Sequence, residues 1–301
     1  MPSKLSLLNC LLAFCLSIVF APNLSAEPDF SSVDIETIRV ADGVYMLRGA
    51  GGNIGLSIGK DGVFVIDDQY APLATKIKTA IAGLSNKPVR FVVNTHWHPD
   101  HTGGNESLGH AGATIVAHHN VRARLQKGQL IKALDNQQSP APKAALPVLT
   151  FDEGVNFHWN QQTIEVQHIE SAHTDGDAIV FFKEANVVHM GDLYFNGFYP
   201  FIDASSGGSL QGLIAGVDQV LTKIKGNTRL IPGHGKLSNK TELQTYRDML
   251  VTVHQRLSAL RAQGKSDEEI IALKPIADLD KKWGNGFLSS AKWLRIVLSV
   301  M

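Results

Sequence analysis

Four apolar runs of this sequence each end in a histidine or an aspartate that stands near a glycine. Residues 91–93 precede the motif NTHWHPDHTGGN, in which three histidines and an aspartate fall within six positions. The later runs end in SAHTDGD at 171–177, HMGDL at 189–193 and IPGHG at 231–235. Short apolar runs bounded by glycine are typical of buried strands. We therefore expect a fold in which several strand ends supply side chains to one shared site.

The first motif has the composition of a metal site. Three buried imidazoles gain little from one another, whereas a divalent cation gives each a partner and favours neutral nitrogen donors together with a carboxylate. Pro99 turns the chain, and Gly103 and Gly104 let the backbone pass close to the site. The alternative, a solvated histidine-rich turn, fits poorly with a strand before the motif and a glycine pair after it. The candidate ligands in this motif are His96, His98, Asp100 and His101.

The composition excludes some classes of partner. The chain has 301 residues, of which 44% are hydrophobic and 19% charged, as in an ordinary soluble globular protein. Lys plus Arg and Asp plus Glu both number 28, so no basic excess indicates nucleic acid and no acidic excess indicates a charged tail. The expected partner is a small-molecule substrate at a local site, and the composition does not indicate an oligomeric state.

Residues 1–26 have the features of a secretory signal peptide. Lys4 gives the segment a positively charged start, an apolar middle follows, and Ala26 is the expected last residue removed. The alternative is an uncleaved membrane anchor, for which the apolar middle is short. Cys10 and Cys15 both lie in this segment, so the mature protein would have neither a disulfide nor a thiolate ligand. We expect a secreted protein of the bacterial periplasm, with no membrane span after signal removal.

Residues 27–301 are predicted to form a single domain with a helical C-terminus, because no linker composition divides them. Short β-type runs at 37–40, 44–48, 53–58 and 63–67 predict an antiparallel meander. Residues 127–147 hold three prolines and no clear periodicity, which predicts a long surface loop able to cover a cleft. Further strands are predicted at 90–95, 114–117, 163–169, 178–182, 186–190 and 228–232, and helices at 71–84, 121–125 and 209–225. Residues 238–264 and 266–301 are predicted to be mostly helical.

The order of these motifs resembles the metallo-β-lactamase-fold hydrolase superfamily. The pattern HxHxDH at 96–101 is followed by His173 in HTDGD, Asp192 in GD and His234 in PGHG. The likeness spans about residues 40–240, with all five motif positions in order, and the signal peptide makes the chain similar to a secreted member. The resemblance implies an α+β fold, a four-layer αββα sandwich, with metal ions in a cleft at one edge of two facing sheets.

The same resemblance implies the ligands and the cofactors. Two Zn²⁺ ions are expected, with iron or manganese open as alternatives. Asp192 would bridge the two ions. The first zinc would be held by His96, His98 and His173, and the second by Asp100, His101 and His234.

The implied activity is that of a binuclear zinc hydrolase. A hydroxide bridging the two ions would attack a carbonyl-type bond in an ester, lactone, thioester or amide. Asp100 is the expected catalytic residue, because it is placed to orient the nucleophile and to relay its proton. Two dications set against Asp100, Asp192 and hydroxide leave the centre near plus one, which favours a small anionic substrate.

Three other functions remain open. One is a periplasmic β-lactamase, although many secreted β-lactamases of this fold have cysteine where Asp192 stands. A second is an iron-dependent redox enzyme such as a sulfur dioxygenase, because the same ligand types hold iron. A third is a metal-binding protein without catalytic activity.

The segment 194–209 is rich in aromatic residues and glycine, which is typical of a cleft wall. Asp203 in this segment is expected to cap the helix that follows. The candidate substrate contacts are Tyr194, Phe198, Tyr199 and Phe201.

Side chains outside the ligand set are expected to support it. Asp67 follows an apolar run and is a candidate acceptor for an imidazole N–H. His189 stands three residues before Asp192 and is a candidate support for it. His118 and His119 follow a predicted strand and are candidates for positions beside the site.

Overall fold

The structure, a computed structural model, describes residues 29–301. The predicted signal peptide at 1–26, with both cysteines, lies outside the described residues. Within residues 29–301, no helix combines the length and the apolar character that crossing a bilayer requires.

Strands dominate the first two thirds of the chain, and helices dominate the last third. The strands are β1 (Glu36–Ala41), β2 (Val44–Arg48), β3 (Ile54–Gly59), β4 (Gly62–Ile66), β5 (Val89–Val93), β6 (Thr114–His118), β7 (Gln129–Ile131), β8 (Asn136–Gln138), β9 (Leu149–Phe151), β10 (Gly154–Trp159), β11 (Gln162–Ile169), β12 (Asp177–Phe182), β13 (Val187–His189), β14 (Arg229–Ile231) and β15 (Ser238–Asn239). The helices are α1 (Ala74–Leu84), α2 (Pro99–Thr102), α3 (Asn105–His110), α4 (His119–Lys127), α5 (Leu210–Lys223), α6 (Lys240–Ala262), α7 (Asp267–Ala272), α8 (Asp280–Trp283) and α9 (Ser290–Ser299).

Two sheets carry the fold. The first has seven strands in the order β1-β2-β3-β4-β5-β6-β9, and the second has six in the order β10 to β15. Strands β1 to β4 pair antiparallel with their chain neighbours, which confirms the predicted meander. The turn between β1 and β2 uses Gly43 at φ 64°, a conformation that glycine adopts without strain. Strands β4, β5, β6 and β9 pair parallel, so their carboxyl ends meet at the same edge.

The burial of alternate residues shows how the layers stack. Phe64 of β4 belongs to the core between the sheets, which also contains Val180 of β12. Its neighbour Val63 points the other way and joins the cluster that contains Ile77 of α1. On the second sheet Ile179 likewise faces outward, into the cluster that contains the apolar sides of α5 and α6. Helix, sheet, sheet and helix therefore form four layers, which confirms the α+β αββα sandwich.

The segment 127–147 differs from its prediction. It was predicted as a surface loop, but it contains the antiparallel hairpin β7–β8, and Ile131 at the end of β7 is buried. Three prolines and strands of only three residues leave too short a pattern for sequence periodicity to detect. Strand β10 was also not predicted, although Val155, Phe157 and Trp159 alternate with polar residues in the manner of a strand.

Candidate metal centre

The four predicted motifs meet at one edge of the sandwich. His96 and His98 follow the end of β5, and His173 lies in the connection between β11 and β12. Asp192 follows β13, and His234 follows β14, the parallel neighbour of β13. Because these strands end at the same edge, residues more than a hundred positions apart in the chain come within contact distance.

A first cluster of four buried side chains has the spacing of metal ligands. His98 Nδ1 lies 3.1 Å from His96 Nε2 and 2.9 Å from His173 Nε2. Asp192 Oδ2 lies 3.8 Å from His96 Nε2 and 3.5 Å from His173 Nε2. Ligand atoms about 2.0–2.1 Å from a tetrahedral ion lie about 3.3 Å from one another, so the four atoms surround a space of the right size. The first cluster is His96, His98, His173 and Asp192.

A second cluster adjoins the first. His234 Nε2 lies 3.3 Å from both Asp100 Oδ2 and His101 Nε2. Asp192 Oδ1 lies 3.1 Å from His101 Nε2 and 3.5 Å from His234 Nε2. Asp192 thus directs Oδ2 to the first cluster and Oδ1 to the second. The second cluster is Asp100, His101 and His234.

Asp67 holds two of the imidazoles through its carboxylate. The Nδ1–H of His101 donates to Asp67 Oδ2 at 2.7 Å, which confirms the predicted support. The Thr95 hydroxyl donates to the same oxygen at 2.7 Å and can therefore accept from His96 Nδ1, 3.1 Å away. With protons fixed on these distal nitrogens, the Nε2 lone pair of His96 faces the first cluster and that of His101 faces the second.

Two further contacts orient the first cluster. The Nε2–H of His98 donates to Asp203 Oδ2 at 3.0 Å, so its Nδ1 lone pair faces the other ligands. The Nδ1–H of His173 donates to the carbonyl of Phe201 at 2.8 Å. Asp203 also accepts from the backbone N–H of Ser205 and caps a short turn at 204–206, whereas Ser209 caps α5, so the prediction that Asp203 caps that helix is wrong. The bond to His98 was not predicted, because 105 positions separate the two residues and no local pattern joins them.

One buried oxygen atom of Asp192 shows that the space between the clustered side chains suits a cation. Asp192 Oδ1 is buried and accepts no hydrogen bond within the described residues. The nearest nitrogen is Nε2 of His101, 3.1 Å away; in neutral His101 it carries a lone pair, because Nδ1 donates to Asp67, and so it offers this oxygen no proton. A buried carboxylate oxygen without a donor is costly, whereas a divalent cation between it and the imidazoles satisfies both. The donor set, imidazole nitrogens with carboxylate oxygens, therefore fits two divalent metal ions.

The pKa values agree with this donor set. Burial away from water holds the pKa of His96 well below its usual range and lowers the pKa of His173 to about 4, so both are neutral ligands. In the second cluster burial lowers the pKa of His234, but the charges of Asp192 and Asp100 outweigh it and raise that pKa to about 9. The carboxylates thus attract positive charge, which a metal ion would supply in place of protons.

Two glycines allow the backbone to approach the ligands. A Cβ added at Gly52 would lie 2.1 Å from the ring of His101. A Cβ added at Gly233 would lie 2.1 Å from Asp192 Oδ1. Any side chain at either position would displace a candidate ligand.

The predicted substrate contacts divide between a cleft and the core. A cleft of about 480 Å³ opens onto both clusters, and Phe198 and Phe201 line it. Tyr194 and Tyr199 do not, so their prediction as substrate contacts is corrected. The Tyr194 side chain is buried, with its hydroxyl 2.8 Å from Ser238 Oγ. Tyr199 stacks on Trp293 at 4.1 Å between ring centroids, because its side chain faces the C-terminal helices.

The remaining histidines have different positions. His189 is buried, and its Nδ1 accepts from the backbone N–H of Gly191, so it supports the turn that carries Asp192. His118 stacks on His168 at 3.8 Å, and the exposed His119 donates to Asp152. Neither His118 nor His119 hydrogen-bonds to a member of the two clusters within residues 29–301, so their prediction as site neighbours is not supported.

Comparison with known proteins gives the family. A family profile of the metallo-beta-lactamase superfamily matches residues 48–269. The DIM-1 metallo-beta-lactamase is 16% identical, with a TM-score of 0.59, and the match covers 73% of this chain and 99% of that chain. The metallo-beta-lactamase from Pontibacter korlensis is 20% identical, with a TM-score of 0.57 and coverage of 72% and 99%.

A longer protein shares the same fold. The stereoselective inverting sec-alkylsulfatase Pisa1 from Pseudomonas sp. is 21% identical, with a TM-score of 0.63. The match covers 87% of this chain and 49% of that chain, so this chain spans about half the length of the alkylsulfatase. No curated protein gives a significant match by sequence. The profile match covers most of the chain and the structure has the corresponding sandwich and ligand clusters: this chain belongs to the metallo-beta-lactamase superfamily, whose members are metal-dependent hydrolases.

Proposed function

We propose that this protein is a binuclear zinc hydrolase that cleaves a carbonyl-type bond in an ester, lactone, thioester or amide. The observation that supports this most directly is the position of Asp192, whose two carboxylate oxygens face different clusters of ligands. A single ion would need only one of these clusters. A shared carboxylate is the arrangement that holds two ions close together at one reacting bond.

The side chains around the cleft have distinct roles in this proposal. Zinc ions bound at the two clusters would activate a water molecule and polarise the bond to be cleaved. Asp100 and His234 are the ligands whose side chains reach the cleft surface, with 18% and 19% of their area exposed. Asp100 is therefore placed to orient the attacking water and to accept its proton. Asp67 and Asp203 keep the imidazoles of His101 and His98 in position throughout.

The proposal is tested with purified protein loaded with zinc. We expect close to two zinc ions per chain and hydrolysis of at least one member of a panel of esters, lactones, thioesters and nitrocefin. Asp100→Ala is expected to abolish turnover without unfolding the protein. His119→Ala is the matched control, because His119 lies at the surface and pairs with Asp152. A zinc-loaded protein that cleaves no carbonyl substrate, or an Asp100→Ala variant with full activity, would contradict the proposal.

Nitrocefin from this panel and two further assays distinguish the other candidate functions. Turnover of nitrocefin would favour a β-lactamase, the activity named for two proteins of similar fold. Cleavage of a secondary alkyl sulfate would favour the reaction named for the longer protein of similar fold. Bound iron with oxygen uptake would favour a redox enzyme. We further propose a periplasmic location, which cleavage after Ala26, measured by mass spectrometry of the exported protein, would support.

A further inference from the structure

One side of the cleft is built of phenylalanine rings. The ring of Phe195 stacks on His234 at 5.0 Å between centroids, and Phe198 meets Phe195 edge-on at 5.6 Å. Phe201 lies 5.8 Å from the ring of His98, and Phe287 lies 6.5 Å from Phe201. The rings therefore run from the second metal cluster to the first and on to the mouth of the cleft. The aromatic wall is Phe195, Phe198, Phe201 and Phe287.

Apart from the candidate metal ligands, the cleft offers no positive side chain within residues 29–301. Among the described residues that line it, the ionisable ligands are His98, Asp100, Asp192 and His234, and no lysine or arginine lines it. Ile131 and Leu134 also line the cleft, so its apolar surface is not limited to the aromatic wall. A negative group away from the metal clusters would lose its water against these side chains without gaining a counterion. Any negative charge of the substrate therefore belongs at the reacting group, beside the metals.

Phe287 leaves apolar surface uncovered at the mouth of the cleft. Its exposed fraction is 61%, and of the four large hydrophobic residues exposed in residues 29–301 it is the one that lines this cleft. The segment that carries it packs closely on the wall, because a Cβ added at Gly286 would lie 2.9 Å from the ring of Phe198. Folding thus leaves an aromatic ring in solvent next to a cleft that has room for an apolar group.

We infer that the substrate carries an uncharged hydrocarbon chain, which lies along the aromatic wall and is covered at its outer end by Phe287. This inference rests on the proposed hydrolase function and names the substrate class of the same site. It restricts the anionic substrate expected from the charge of the metal centre: the reacting group can be polar or negative, but the rest of the molecule is apolar. Phe287 is then a residue that determines specificity and is not part of the metal site.

A series of esters tests whether the substrate carries an uncharged hydrocarbon chain. Zinc-loaded protein is assayed with p-nitrophenyl acetate, butyrate, hexanoate and octanoate, and with mono-p-nitrophenyl adipate, which ends in a carboxylate. Each added methylene buried on the wall is expected to raise kcat/KM about fourfold. The terminal carboxylate is expected to lower kcat/KM about tenfold or more relative to the hexanoate ester. Equal or faster turnover of the adipate ester, or a kcat/KM that does not rise with chain length, would overturn the inference.

Variants of Phe287 test whether this residue determines the preference for long hydrocarbon chains. Phe287→Ala is expected to lower the ratio of kcat/KM for the octanoate ester to kcat/KM for the acetate ester about tenfold, with unaltered zinc content. Phe287→Leu should retain most of the preference, because it keeps an apolar side chain. Leu273→Ala is the matched control, since Leu273 is 56% exposed and lies outside the cleft. Unchanged chain-length selectivity in Phe287→Ala would remove Phe287 from the inference.

Binding of an apolar probe separates this inference from the proposed function. The neutral fluorophore N-phenylnaphthylamine should bind wild-type protein, bind Phe287→Ala more weakly and bind Leu273→Ala as wild type. If no ester is cleaved but the probe behaves this way, the hydrolase proposal fails and the hydrocarbon-binding cleft stands. If esters are cleaved without chain-length preference and the probe does not bind, the hydrolase proposal stands and the inference fails.

Discussion

Asp192 is the residue on which both metal clusters depend, because each of its carboxylate oxygens faces a different group of imidazoles. Asp192→Asn keeps the shape of the side chain but places an amide nitrogen toward one cluster, where it cannot bind a cation. We expect zinc to fall from two ions per chain to one or fewer after dialysis, and kcat/KM to fall by more than about a hundredfold. Elemental analysis and the ester assay measure these changes.

Asp152→Asn is the control for this change. Asp152 is an exposed aspartate that accepts from His119 and touches neither cluster. The Asp152→Asn variant should therefore keep both zinc ions. Two tightly bound zinc ions in Asp192→Asn would show that this carboxylate does not join the two sites.

Asp67 and Asp203 make the same kind of contact with different clusters. Asp67 accepts directly from His101 of the second cluster and reaches His96 of the first only through the Thr95 hydroxyl, whereas Asp203 accepts directly from His98 of the first. Removing the charge of such a partner lowers metal affinity about 10- to 100-fold. Asp67→Asn should therefore weaken mainly one zinc site and Asp203→Asn mainly the other. Competition with a chromophoric chelator measures two separate affinities, and a uniform loss at both sites in both variants would contradict this assignment.

The individual residues of the centre differed in how far sequence could predict them. The seven side chains of the two clusters stand in recognisable local motifs, and all of them meet in the structure. Asp67 was predicted as a support because it stands at the end of an apolar run. The hydrogen bond between His98 and Asp203 depends on tertiary packing, so no sequence pattern indicates it. Tyr194 and Tyr199 were assigned to the cleft by composition alone, which does not say which way a side chain points.

The hairpin β7–β8 is the element that joins the cleft wall to the first cluster. Gln129 of β7 donates through Nε2 to Ser206 Oγ at 2.9 Å, and Trp97 Nε1 donates to the same oxygen at 3.1 Å. The Ser206 hydroxyl in turn donates to Asp203 Oδ2 at 2.6 Å, beside the bond to His98. The Ser206 hydroxyl thus helps to hold both the hairpin and, through Asp203, the candidate ligand His98.

Ser206→Ala tests this connection. The change leaves the buried indole N–H of Trp97 without its acceptor, and we expect the free energy of unfolding to fall by about 1–3 kcal/mol. Urea denaturation of the zinc-loaded protein measures it. Ser299→Ala is the control, because Ser299 is exposed and its hydroxyl donates, within residues 29–301, only to the carbonyl of Ile296 in its own helix. Its effect should stay within about 0.5 kcal/mol. Equal stability of Ser206→Ala and wild type would mean that the hydroxyl does not hold the hairpin.

Sequence patterns predicted the long elements better than the short ones. Strands β11 and β12 and helices α5 and α6 have several residues of clear periodicity, and each was predicted close to its observed bounds. Strand β9 and the hairpin β7–β8 consist of three-residue strands. Strand β9 depends on pairing with the distant strand β6, and β7 and β8 depend on pairing with each other, and a run of three residues is too short for its pattern to reveal either pairing.

The candidate metal centre lies where the two halves of the chain meet. His96, His98, Asp100 and His101 follow a strand of the first sheet, whereas His173, Asp192 and His234 follow strands of the second. Each cluster takes ligands from both sheets. Metal bound at either cluster would therefore hold the two sheets together at this edge, and its binding energy would add to the stability of the folded protein.

Removing metal should accordingly lower the thermal stability of the whole protein. Zinc at about a hundred to a thousand times its dissociation constant stabilises a folded protein by about 3–4 kcal/mol. For a chain of this size 1 kcal/mol corresponds to about 2–4 °C, so chelation is expected to lower Tm by about 6–16 °C. Calorimetry with and without EDTA measures the shift, and added zinc should reverse it. Asp192→Asn should show a much smaller shift, because it begins with less metal. If EDTA removes the zinc and Tm does not change, the ions do not join the two sheets.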